Sequence, residues 1–276
     1  MTVTTRVGRD GTLRLAFERR AAATVLTACR YTLPLQVLAP VAVADAAAIV
    51  SMLNPTGGVL GGDRLEIDVA VGPGAHACLT TPSATRVYRA AAEPAVQQVR
   101  LTLGRGAVAE WVPDHTIPSA GAALRQSLEV DAAEGATLIA VDAFAAGRVA
   151  RGEAWRFAQL DSALTVRDAA GLVLHDRFVL AGGDEWRGLG LAEDHPYFAT
   201  VVVVADAGLD GFLAELPAMV TAIGGIRAGA ARLRRRAALV RCLATGAPAL
   251  ADALASTWAL ARRHLLELPP LALRRL

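Results

Sequence analysis

Apolar and polar residues alternate along the first three-quarters of the chain. In Arg64-Leu-Glu-Ile-Asp-Val-Ala-Val71, positions 65, 67, 69 and 71 are apolar and Glu66 and Asp68 fall between them. This is the period of a strand with one buried face. Val99, Leu101 and Leu103 repeat it, and so do Leu128 and Val130. Leu164-Thr-Val166 and Leu172-Val-Leu174 flank Arg167-Asp-Ala-Ala-Gly171, which reads as a hairpin loop.

The strands also repeat at longer range. Gly74-Ala75, Gly106-Ala107 and Gly135-Ala136 each follow an alternating strand and precede another apolar stretch, at intervals of 32 and 29 residues. Gly allows the positive φ such a turn can require, and Ala lets two layers approach closely. Units recurring at this period predict coils stacked along an axis, a β-helix-like body, ahead of an ordinary sandwich with hairpins.

From about Leu209 the chain becomes rich in Ala, Leu and Arg. Pro248 marks a helix start, Leu250, Leu254, Trp258, Arg262 and Leu266 follow at spacing four, and Pro269-Pro270 stops the segment. The fold expected is therefore mainly β with a few C-terminal α-helices, in a stacked-layer architecture. No Gly/Ser linker separates the parts, so 1–276 reads as a single domain, with a β-rich body over 1–205 and a helix-containing part over 206–276.

Composition narrows the function. Hydrophobic residues make up 54% and charged residues 20%, the reverse of a disordered chain. No run reaches the roughly 18 apolar residues of a membrane span. The N-terminal Met1–Arg6 stretch has no apolar h-region, and Cys29, Cys78 and Cys242 form no CxxC pair, so a cytoplasmic protein is expected. The 28 basic residues are all Arg. Without Lys there is no Walker-A loop and no Schiff-base or Ser-x-x-Lys chemistry. A net charge of +2 argues against a nucleic-acid partner.

Candidate chemistry is sparse. Asn54-Pro-Thr-Gly-Gly-Val-Leu-Gly-Gly-Asp63 lacks GxGxxG spacing and leads into a strand, so it reads as a tight loop where chain approaches chain. Histidines at 76, 115, 175, 195 and 264 include no pair at clamp spacing. A hydrolase using Ser83 or His115 would lack a nucleophile elbow. Arg232-Leu-Arg-Arg-Arg236 with Arg241 could hold phosphate, but a solvated helix face or a surface for an acidic partner is favoured. Asp142 and Glu153, carboxylates beside apolar strands, need partners, and Arg is the expected one.

Asn54-Pro-x-Gly57-Gly58-x-x-Gly61-Gly62-Asp63 is followed by Thr80-Thr81 and Ala84-Thr85-Arg86-Val-Tyr88-Arg89. Next come Glu110-Trp-Val-Pro113, Gly147-Arg148, Gly152-Glu153, Trp258 and Arg262-Arg263. Together, in order across nearly the whole chain, these motifs resemble the UreD (UreH) family of urease accessory proteins. Arg86 and Ser119 stand where the family usually has Lys and an aromatic, and the ending Leu273-Arg-Arg-Leu276 also departs. The resemblance implies a non-catalytic maturation factor with a β-rich layered fold. Its implied partners are UreF, UreG and the urease subunits, with Ni²⁺ in transit, no tightly bound cofactor, and GTP bound only through UreG. Asp63, Asp142 and Glu153 are then the candidates for a transient nickel path of scattered oxygen ligands, because tight imidazole or thiolate ligation would trap the cation. A β-solenoid interaction scaffold unrelated to urease is the alternative.

Overall fold

The computed structural model describes residues 9–42 and 47–273; the N-terminal stretch and the closing Arg274, Arg275 and Leu276 lie outside it. β1 (Asp10–Arg20) and β2 (Ala23–Tyr31) form a hairpin, and β3 (Gln36–Val37) and β4 (Val41–Ala42) precede β5 (Ala47–Leu53). A repeating body follows. It runs β6 (Arg64–Val71), β7 (His76–Thr80), β8 (Thr85–Val87), then β9 (Ala95–Leu103), β10 (Val108–Trp111), β11 (Thr116–Pro118), then β12 (Ala123–Ala132), β13 (Thr137–Ala145). β14 (Gln159–Asp168) and β15 (Gly171–Ala181) form the predicted hairpin. β16 (Tyr197–Val204), α1 (Leu209–Thr221), β17 (Ile226–Arg232), β18 (Ala237–Ala244) and α2 (Ala247–Leu266) complete the chain.

These elements make two sheets. The first has the order β15-β14-β12-β9-β6-β1-β2, and the second runs β17-β18-β16-β13-β10-β7-β5-β3. Within the body every neighbour is parallel, because each coil contributes one strand to each sheet. The stacked coils resemble a β-solenoid of about four turns. The register reproduces the sequence intervals: Val108 lies beside His76 on one side and Thr137 on the other. The Gly-Ala turns stack in a column, with Gly74 N–H bonded to Arg105 O and Gly106 N–H to Glu134 O. Gly74, Gly106 and Gly135 all have φ near the left-handed value, and Ala75, Ala107 and Ala136 are fully buried beneath them.

The alternating strands fill the space between the sheets. Leu65, Ile67, Val69 and Val71 of β6 pack there with Val99, Leu101 and Leu103 of β9 and Leu128 and Val130 of β12. Adjacent residues of β13 serve two cores: Leu138, Ala140 and Phe144 face the first sheet, and Ile139, Val141 and Ala143 face the helices. The helical layer packs on that outer face through Phe212 and Leu216 of α1 and Leu250 and Trp258 of α2. Pro248 stands in the first turn of α2, as the sequence indicates.

One expectation is corrected. Arg232 to Arg236 do not form a helix face; Arg232 ends β17 and the others make the turn into β18. Three of them bond within the chain, Arg232 to Asp210, Arg235 to Asp168, and Arg236 to Asp206 and Ala136 O. Paired with nearby carboxylates, these three pin the β17–β18 hairpin to its neighbours.

Candidate functional site

The glycine loop sits at a corner of the coil. Val59 pairs with Val87, β8 pairs with β11, and Arg89 bridges to Ala122, so a third, short wall of the solenoid is built from motif residues. A side chain at Gly58 would place its Cβ 2.6 Å from Arg86 O, which is why the loop is bare there. Tyr88 donates its hydroxyl to Gly57 O, and Asn54 ties the turn through Gly58 O and Thr56. Gly61 lies against Ala90, and Gly62 N–H is bonded to Pro94 O. Asp63 is buried and accepts amide hydrogens from Arg9 and Leu60 at 2.9 Å each, so its carboxylate closes this loop.

The threonines hold the next turn of chain. Thr80 Oγ1 donates to Val112 O, Thr81 Oγ1 accepts from Asp114 N–H, and Thr85 N–H bonds to His115 O. Ser83 is exposed and His115 is paired with Asp114, so neither is arranged around the other by a hydrogen bond among the described residues. Gly147 and Gly152 flank a 3-10 turn, and across it Arg148 grips Glu153 in a bidentate pair at 2.7 and 2.6 Å. That pair holds the Glu153 carboxyl below its ordinary range. Glu153 therefore has the Arg partner anticipated for it.

Asp142 does not. It projects from β13 into the space between the sheets, where it meets Gln126 of β12 at 2.8 Å and Ser162 of β14 at 2.7 Å. Desolvation pushes its pKa up to about 6, against the two hydrogen bonds, and Asp176 adds to the rise. Two cavities meet at this carboxyl. One, of about 90 Å³, runs between the sheets toward Asn54, Thr81 and Asp114. The other, of about 260 Å³, opens past Phe198 and Trp155 toward Asp176 and Arg241. Each has room for water, and Asp142 is the one sequence-selected carboxylate lining both.

Sequence reasoning missed a second polar centre. Glu110 of β10 is completely buried on the helical side. Its Oε1 lies 2.6 Å from His76 Nε2 and is also bonded by Arg262. Its Oε2 accepts from Trp258 Nε1 at 2.5 Å. Arg262, equally buried, donates to Pro269 O as well and lies 5.7 Å from the Trp258 ring centroid. Glu110 belongs to one motif block and Trp258 and Arg262 to another, the closing helix, and folding brings the two together.

The blocks compared with known proteins give one answer. The family described as UreD urease accessory protein matches residues 9–275. The chain belongs to the UreD family. Among curated UreD proteins, that of Deinococcus radiodurans is 37% identical over 272 residues, covering 97% of this chain and 95% of its own. The UreD of Alkalilimnicola ehrlichii is 34% identical over 95% of this chain and 89% of its own. That of Delftia acidovorans is 42% identical over 181 residues, a match spanning 58% of its length. UreD membership makes this a urease accessory protein and sets aside an unrelated solenoid scaffold. Among the described residues no helix is long and apolar enough to cross a membrane.

Proposed function

We propose that the chain is a non-catalytic scaffold of urease maturation. In this reading it assembles with UreF and UreG in the cytoplasm, docks with them on apo-urease and assists nickel insertion. GTP is handled by UreG, and this chain holds no cofactor tightly. Family membership supports the accessory role.

The nickel route through the chain is supported by one observation: the Asp142 carboxyl stands where two cavities meet. A lone carboxylate with amide and hydroxyl neighbours lowers the cost of bringing a dication out of water. It offers one hard ligand, too few to trap a borderline metal. Asp63 and Glu153 are candidates of a different kind, since backbone amides and Arg148 already engage their oxygens. They keep the corner loops in shape around the route.

Co-expression of urease with its accessory factors tests this, reading out bound nickel and ureolysis. Asp142→Asn, verified to assemble with UreF, is expected to lower nickel loading several-fold, while Glu153→Gln stays near the unaltered level. Full activation with Asp142→Asn would overturn the route.

A further inference from the structure

Away from Asp142, the segment between β15 and β16 gathers three metal-ligating side chains. One ligand atom from each of Glu193, Asp194 and His195 lies within 4.8 Å of the others. Glu193 and Asp194 border an open cleft of about 630 Å³ that Arg187, Arg227 and Trp155 also line, and His195, next to them in sequence, is buried.

An acidic group on a surface loop is commonplace; the imidazole here is not. His195 is 5% exposed, yet among the described residues its buried Nδ1 has no hydrogen-bond partner. Asp194 Oδ1 stands 2.8 Å away, at ion-pair distance, but does not meet hydrogen-bond geometry. Leaving a buried ring nitrogen unsatisfied is costly, and such atoms in native proteins call for a ligand or water. Two lone-pair donors about 3 Å apart and unbonded to each other have the spacing of neighbouring ligands around a six-coordinate dication with bonds near 2.1 Å. Glu193 supplies a second carboxylate. It is held by Gly190 N–H at 3.2 Å and shared with Arg227 at 2.7 Å.

We propose that Glu193, Asp194 and His195 form a binding site for a first-row transition-metal dication, entered from the cleft and anchored on His195 Nδ1. One imidazole with two carboxylates suits nickel, cobalt or zinc better than magnesium or calcium, which prefer oxygen alone. Arg227 neutralises part of the Glu193 charge, so the site is weak and exchanges its ion readily. The site is independent of the route through Asp142, because binding here is a property of the chain by itself.

Equilibrium dialysis of the untagged full-length chain against Ni²⁺, with Mg²⁺ in excess, tests the proposal. Asp194 is 79% exposed, so Asp194→Asn changes a ligand without a folding cost. Asp194→Asn and His195→Gln are each expected to weaken binding at one nickel equivalent at least tenfold. His175→Gln, outside the group, should leave it unchanged, and Arg227→Gln should tighten it several-fold. Nickel binding by Asp194→Asn indistinguishable from that of the unaltered chain would overturn the site. So would His195 ring resonances that Co²⁺ fails to perturb.

Discussion

Glu110 and Arg262, 152 positions apart in sequence, form an ion pair in which both side chains are almost wholly out of reach of solvent. The pair joins the parallel body to the last helix. A buried pair of this kind is poor evidence of net stabilisation, but removing one partner strands the other charge. Arg262→Met or Glu110→Leu alone should each destabilise the protein by about 3–5 kcal/mol. The double variant should recover part of that loss, since no unpaired charge stays buried, although His76 Nε2 and Trp258 Nε1 still lose their acceptor. Thermal or urea unfolding of the three proteins checks the non-additivity. Equal and additive losses would mean the two residues act separately.

Asp142 gives a pH signature of the opposite kind to an ordinary paired carboxylate. Its folded pKa, about 6, lies above the unfolded value of 3.8, so the folded state holds the proton more tightly. Its contribution favours folding below about pH 4 and is lost as pH rises through 6, leaving an ionised group buried at neutral pH. Asp142→Asn should therefore raise stability at pH 7.5 by on the order of 2 kcal/mol and flatten the profile between pH 4 and 6. Asp161, whose pKa is lowered by Arg177 and Arg125, runs the other way: its contribution is present above the unfolded pKa and fades in acid. Unfolding midpoints measured from about pH 2 to 8 for the unaltered chain and Asp142→Asn separate these trends.

Two glycines should differ in what they tolerate. At Gly58 a side chain meets Arg86 O and the Tyr88 ring within 3 Å, so Gly58→Val should cost on the order of 3 kcal/mol or more and reduce soluble yield and UreF pull-down together. At Gly106 nothing lies within 4 Å and only the positive φ objects, so Gly106→Ala should cost about 1 kcal/mol. Equal losses at the two positions would undo the distinction between crowding and backbone conformation.

The coil was readable in the sequence because one physical constraint wrote both signals. Each turn must return to the same two sheets, so the Gly-Ala corners recur at the coil length, and the inward residues of β6 and β9 alternate. The strand order, with β1 beside β6 and β16 reversing on β13, leaves no such trace. Asp142 was visible as a carboxylate in an apolar strand, but its partners Gln126 and Ser162 come from neighbouring coils and carry no local pattern. The Glu110 centre joins residues from β7, β10 and α2, and only the family blocks hinted that they matter. Glu193, Asp194 and His195 are contiguous, and along an extended chain such neighbours point to opposite sides. The left-handed backbone at Glu193, φ 51°, turns them together, and that conformation is not written in the residue types.

The first sheet ends at both margins in an antiparallel ribbon, β1 with β2 and β14 with β15. A stack of parallel coils left bare would offer each copy's last turn as a template for the next copy's first, and filaments would grow. Here the polarity of the outermost chain is reversed, and β15 carries His175, Asp176 and Arg177 along its length. The reversed outer strands and the charged residues on β15 work against a second copy continuing the stack, much as covers bound a book.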